Sequence, residues 1–350
     1  MSKSVLIVDD SALVRKQIRE MLEPEGYEIE LAKNGQEAVD KACEYDFDVI
    51  TMDVNMPVMD GLTAVGEIMK KNPSAILMIS SLTSADATTT MDALDLGAID
   101  YIAKPGTMNV GKEANRQEIL QKVKSLSRIP KRRLQRQVRR PVRRERPQVA
   151  DDLSKGDSRE IEKVVLIGSS TGGPGLIEQI CASLPASFKY PVCIVQHMPA
   201  QFTKAFAERL NRVSTLPVLE SKQNEELLPG HVYVARGGVH MHFARKVSGK
   251  IVIREDKDKG EHFFQPSVDE TFVSAQMTFK GKQLIGVLLT GIGDDGADGM
   301  VEIRKAGGYT IGESEESATV YGMPKEAYER GGVMEQLDFR DILKKIATLK

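Results

Sequence analysis

The stretch Val164–Ile180 reads VVLIGSSTGGPGLIEQI: four apolar residues, six small ones, then a helical pattern that opens on Pro174. Apolar β-branched residues suit a buried strand, and proline suits the first position of a helix because its missing N–H would have no partner there. Strand, tight turn and helix in that order form the building unit of a parallel α/β sheet. The turn can present a nucleophile, cradle a phosphate or simply reverse the chain. Its neighbours have to decide between these.

Working outward, PVCIVQH ends a second β-type run at His197, and LIGVLLTGIGDDGADGM carries a third into a glycine-rich turn at Asp294 and Asp295. Strands are predicted at Val164–Ile167, Val192–Gln196 and Leu284–Leu289, with helices near Pro174–Cys181, Ala200–Leu210 and Ser267–Phe279. The segment GSSTG fits G-x-S-x-G with Ser170 at its centre, in the strand–turn–helix setting of a nucleophile elbow. Amides at the following helix N-terminus favour developing negative charge. A serine also needs a base. His197 leaves its strand at the same sheet edge, whereas His231, His240, His242 and His262 lack that setting. Asp294 or Asp295 then supplies a carboxylate to orient the imidazole. Ser169 is the rival nucleophile. The order Ser, His, Asp differs from the Ser, Asp, His order of ordinary α/β-hydrolases, and triads are recognised by geometry rather than order. A dinucleotide loop is disfavoured because GSSTGGPG lacks the G-x-G-x-x-G spacing, while TGIGDDG taken alone also reads as a plain turn or a metal loop.

The N-terminal part has its own pattern. Short β-rich runs (SVLIVDD, YEIELA, FDVITMD, AILMIS, AIDYIAKP) alternate with amphipathic segments at Ser11–Leu22, Gly35–Tyr45 and Gly61–Lys71. This predicts a doubly wound (βα)5 sheet over residues 1–125. Its strand ends deliver Asp9, Asp10, Asp53 and Lys104 to one edge. Carboxylates held that close repel one another unless a divalent cation such as Mg²⁺ neutralises them, and the cation would recruit a phosphoryl group. Asp53 is then placed as a nucleophile toward phosphorus, with the Lys104 ammonium on the phosphoryl oxygens. Singly, each is an ordinary polar loop residue.

At 350 residues, with 41% hydrophobic and 28% charged residues and a net charge of −2, the chain calls for two folded domains. The composition excludes disordered and collagen-like classes, and no apolar run approaches a membrane span. Between the units, RIPKRRLQRQVRRPVRRERP is a basic, proline-broken linker, assigned to 126–159, with the second domain at 160–350. The second unit is too long and too regularly α/β for a helix-turn-helix output, so no nucleic-acid partner is expected. Cys43, Cys181 and Cys193 form no C-x-x-C pair and are expected as reduced core residues of a cytoplasmic protein.

The motifs IVDDS, MDVNMPVMDG, ISS and YIAKP resemble the receiver domain of two-component response regulators. That resemblance implies that Asp53 accepts phosphate from a histidine kinase. It also implies that Asp9 and Asp10 hold Mg²⁺, that Asn55 lends its backbone carbonyl, and that Ser80 and Tyr101 are switch positions. A cis Lys104–Pro105 bond is part of the same expectation. IGSSTGGP, QHMPAQFTKAFAERLN, LPGHVYVA, PSVDETF, LTGIGDDGADGM and YGMPKEA resemble the catalytic domain of the chemotaxis protein-glutamate methylesterase (CheB) family. This second resemblance implies Ser170 as nucleophile, His197 as general base and Asp295 as orienting carboxylate, in a parallel-sheet hydrolase domain with no cofactor of its own. The expected substrates are glutamyl methyl esters, and some glutamines, on the cytoplasmic helices of chemoreceptors. The expected phosphodonor is the chemotaxis histidine kinase. The protein would work as a monomer without membrane insertion. Separately, the covalent pairing of an input unit with a hydrolase motivates the expectation that the unphosphorylated receiver covers the Ser170 edge. Two departures stand out: Ile292 and Asp294 where the family often has Met and Asn, and Phe264–Gln265 where it often has a His-Arg pair.

Overall fold

The computed structural model describes residues 2–81, 83–104, 112–131, 134 and 161–349. The Lys104–Pro105 bond and most of the arginine-rich segment lie outside the described residues. The chain divides into two compact units, Met1–Val142 and Arg143–Lys350.

In the first unit five strands alternate with five helices: β1 (Ser4–Val8), α1 (Ala12–Leu22), β2 (Glu28–Ala32), α2 (Gly35–Glu44), β3 (Val49–Asp53), α3 (Gly61–Lys71), β4 (Ile76–Ser80), α4 (Ser84–Asp95), β5 (Asp100–Ala103) and α5 (Lys112–Leu126). The strands form one parallel sheet in the order β2-β1-β3-β4-β5. Every residue of β3 and β4 is buried, as a sheet covered by helices on both faces requires. Helices α1, α2 and α3 begin where Ser11, Asn34 and Asp60 accept hydrogen bonds from their first-turn amides. The order of connection reverses at β1, so the crevice between the ends of β1 and β3 is the natural ligand site of this sheet. The core of this unit reaches Leu134, which is buried with Val5, Ile7, Leu22 and Val123. Cys43 departs from its expected core position. The buried face of α2 carries Gly35, Ala38, Val39 and Ala42, and one step beyond Ala42 turns the thiol by about 100° into solvent. Cys181 and Cys193 are buried, and burial pushes the Cys181 thiol up to about 12.

The second unit contains β6 (Val164–Ser169), α6 (Pro174–Ser183), β7 (Val192–Gln196), α7 (Ala200–Val213), β8 (Val218–Glu220), β9 (Val232–Val234), β10 (His240–Arg245), β11 (Ile251–Asp256), α8 (Val268–Thr278), β12 (Leu284–Leu288), α9 (Ala297–Lys305), β13 (Tyr309–Glu313), α10 (Met323–Glu329), β14 (Glu335–Leu337) and α11 (Phe339–Ala347). Seven strands form a parallel sheet in the order β14-β13-β12-β6-β7-β9-β8, and β10 and β11 pair as a separate antiparallel hairpin. The chain runs from β6 to β7 on one side and returns to β12 on the other, so the ends of β6, β7 and β12 flank the crevice of this sheet. Helix α8 starts at Ser267, whose hydroxyl accepts from the Glu270 amide.

Candidate active site and phosphoacceptor site

In the second unit the strand register places Ser169 opposite Gln196, so the next residues, Ser170 and His197, leave adjacent strands side by side. Further bonds fix the elbow. The Ser170 amide donates to the Thr290 carbonyl (3.0 Å), and the Thr290 hydroxyl donates to the Thr171 carbonyl (2.9 Å). Ser169 donates its hydroxyl to Gln196 Oε1 at 2.7 Å, while Gln196 Nε2 donates to the Ser170 carbonyl at 3.0 Å. The Ser169 hydroxyl is therefore spent on structure. Among the described residues, the Ser170 hydroxyl makes no hydrogen bond. Gly172, at φ +78°, makes the turn before α6, and a β-carbon there would lie 2.7 Å from Thr319. A β-carbon on Gly291 would meet that of Ser170 at 2.9 Å, so the β12 loop passes directly against the serine.

Two aspartates compete for His197, and the structure separates them. Asp295 Oδ2 lies 2.6 Å from His197 Nε2, while Asp294 is exposed and ion-paired with Arg330. Asp295 also sits at the N-terminus of α8. It accepts from the Ser267 hydroxyl (2.7 Å) and from the amides of Val268 (2.7 Å) and Asp269 (2.9 Å). Burial alone would raise its pKa, but the His197 bond and these amides hold the carboxyl well below the usual carboxylate range. The negative charge stays on Asp295 and its neighbour is pushed toward holding a proton: burial and the Asp295 charge push Asp269 up to about 7. With Nε2 engaged by a carboxylate, the proton belongs on Nε2. Nδ1, buried and without a protein hydrogen bond, is left as the acceptor nitrogen of the ring.

Several residues of this arrangement are given no role by the sequence. Ser267 reads only as a helix cap. His240, set aside in the sequence, accepts from the Ser267 amide through Nδ1 at 3.0 Å, and Glu270 accepts from His242 and His262 on the same face of α8. Phe264 stacks on the His197 ring, with centroids 3.9 Å apart.

In the first unit the carboxylate oxygens of Asp9, Asp10 and Asp53 lie within 4.8 Å of one another. Lys104 Nζ bridges Asp9 Oδ2 (3.0 Å) and Asp53 Oδ2 (2.8 Å). Burial raises Asp53 to about 6 against the pull of Lys104, with Asp9 adding to the rise. An all-oxygen cluster of this charge fits a hard divalent cation such as Mg²⁺. Asn55 is exposed just beyond Asp53. Ser80 is buried at the end of β4, donating to the Ser81 carbonyl at 3.0 Å, and the ring of Tyr101 is buried in β5.

Comparison with known proteins now bears on both units. A CheB methylesterase family model matches residues 165–346, and a response regulator receiver domain model matches 5–116. A relative from Carboxydothermus hydrogenoformans, named protein-glutamate methylesterase/protein-glutamine glutaminase 2, is 48% identical over 99% of this chain and 98% of its own. The chain belongs to the CheB methylesterase family. A CheB methylesterase relative from Archaeoglobus fulgidus, bearing the same double activity name, is 44% identical over 94% of this chain and 93% of its own. The crystal structure of the CheB methylesterase catalytic domain from Thermotoga maritima superposes with a TM-score of 0.52 at 39% identity, covering 54% of this chain and 98% of that one. Among the described residues, no helix of this CheB methylesterase chain is long and apolar enough to cross a membrane.

Proposed function

We propose that the second unit hydrolyses glutamyl methyl esters on chemoreceptor cytoplasmic helices through Ser170, His197 and Asp295, and that phosphorylation of Asp53 switches this activity on. The observation that supports it best is Asp295, ionised on the α8 N-terminus and bonded to His197 beside the elbow of Ser170. Ser170 Oγ attacks the ester carbonyl and gives its proton to His197 Nδ1. Backbone amides of the turn before α6 would receive the oxyanion. The tetrahedral adduct collapses by breaking the bond to methoxide, which takes the proton from Nδ1 and leaves as methanol. Water then adds to the acyl-enzyme with the same base, releasing glutamate and restoring Ser170. A receptor glutamine enters the same sequence with ammonia as the leaving group, in keeping with the double name of the relatives.

In the receiver, Asp9, Asp10, Asp53 and the Asn55 carbonyl would hold Mg²⁺, which supplies charge neutralisation at the phosphoryl oxygens. Asp53 is the phosphoacceptor, Lys104 orients the incoming group, and Ser80 and Tyr101 respond to its arrival. The phosphodonor is a chemotaxis histidine kinase, which places the protein in the cytoplasm with receptor and kinase as partners. Methanol release from methylated receptor, measured with and without Mg²⁺ and a small phosphoryl donor, tests the reading. Wild type is expected to release methanol faster with the donor, Asp53→Asn to ignore the donor, and Ser170→Ala to release none. Equal release by wild type and Ser170→Ala overturns the triad, and donor-independent release overturns the switch.

A further inference from the structure

We propose that Phe264 is a positioning residue for this reaction, its ring face stabilising the imidazolium that His197 becomes whenever it holds the serine proton. The proposal rests on the triad reading above. Phe264 lies nearly parallel to the His197 ring, at 3.9 Å between centroids and 17° between planes. Phe263 packs edge-on against Phe264 at 4.8 Å and 79°, bracing it from the solvent side. The segment is anchored where the Gly238 amide donates to the Gln265 carbonyl at 3.0 Å. His197 is therefore held on one edge by Asp295 and on one face by Phe264, which together fix its plane.

The chemistry follows from the ring's charge distribution. The face of a phenyl ring carries the negative lobe of its quadrupole, so a cation set over it is attracted. A neutral imidazole gains less from the same contact. The stabilisation thus grows as the proton leaves Ser170 Oγ for Nδ1, and it fades when that proton passes to the departing methoxide. An interaction stronger in the transition state than in the ground state raises the rate. It acts again when water gives its proton to Nδ1 during deacylation. Asp295, bonded to the imidazole edge, and Asp269, whose backbone amide donates to Asp295, are unchanged in every variant at 264. A comparison of variants at 264 therefore reads the ring.

The test uses full-length Phe264→Leu and Phe264→Tyr with methylated receptor and a phosphoryl donor, following kcat, KM and the pH dependence of kcat/KM. Leucine fills much of the space and excludes water but has no π-face. It is expected to lower kcat about five- to tenfold with KM within about twofold, and to move the acid limb of the profile to lower pH because the base is weaker. Tyrosine is expected to behave as wild type. If leucine matches wild type, or tyrosine falls as far as leucine, Phe264 only fills space and the proposal is overturned. Should wild type release no methanol, the triad reading fails instead. The proton NMR titration of the His197 ring in wild type and Phe264→Leu then still decides the ring pairing, and equal midpoints sink it.

Discussion

Adjacent residues can belong to different parts of a site, and Asp294 and Asp295 show why. Asp295 turns inward to His197 and the α8 amides, whereas Asp294 turns outward to Arg330. Asp295→Asn is expected to lower kcat on the order of 10³-fold or more, since an amide neither stabilises the imidazolium nor enforces the tautomer. Asp294→Asn should stay within about threefold in the same methanol-release assay. Ser169→Ala, which removes a hydroxyl committed to Gln196, is expected to lower thermal stability while keeping esterase activity. In the receiver, Asp53 is raised to about 6, so the fold holds a proton there that the unfolded chain has released. Its contribution is present near pH 4, diminishes as pH rises to about 6, and is absent above that. Asp53→Asn is therefore expected to raise the receiver's melting temperature by several degrees at pH 8 without Mg²⁺, with less gain near pH 4.

At the scale of elements, what could be read in advance was whatever is encoded locally. Ser170, His197 and Asp53 each end an apolar strand run, so a few neighbours place them at a sheet edge. The residue pattern alone left Asp294 and Asp295 both open and only the family resemblance pointed to Asp295, because their different surroundings are set by Arg330 and by the start of α8, both remote in sequence. The three-residue strands β8, β9 and β14 are too short for any periodicity to register, whereas the hairpin β10–β11 does carry a turn signal, Ser248–Gly249 with Gly249 at φ +86°, that the strand predictions leave out. That hairpin matters to the site through His240 and Ser267. Ser267 caps α8 and donates to Asp295, so Ser267→Ala removes both bonds at once. It is expected to cost about 1 kcal/mol of stability, seen by denaturant melts, and to lower kcat about tenfold.

At the scale of the whole molecule, each unit has its own buried core: one around Val5, Ile7 and Leu77, the other around Leu166, Val195 and Phe272. Calorimetry is expected to resolve two transitions, of which Mg²⁺ and Asp53→Asn shift the receiver's alone. A single transition moved bodily by Mg²⁺ would contradict this. The division also separates chemistry from control, since a lesion at Asp53 is expected to leave basal hydrolysis intact while removing its response to the phosphoryl donor.

The bond between Asp295 and Nε2 has one more result. Ordinary serine proteases offer Nε2 to the nucleophile and give Nδ1 to the aspartate; in the triad proposed above the imidazole is used the other way round. A histidine-directed alkylating label shaped for those enzymes would find Nε2 covered by a carboxylate, while the unpaired nitrogen, Nδ1, is buried and has to be reached from within the site. Selective inhibition of this esterase can therefore be written into where a reagent carries its electrophile, independent of how the remainder of the reagent is recognised.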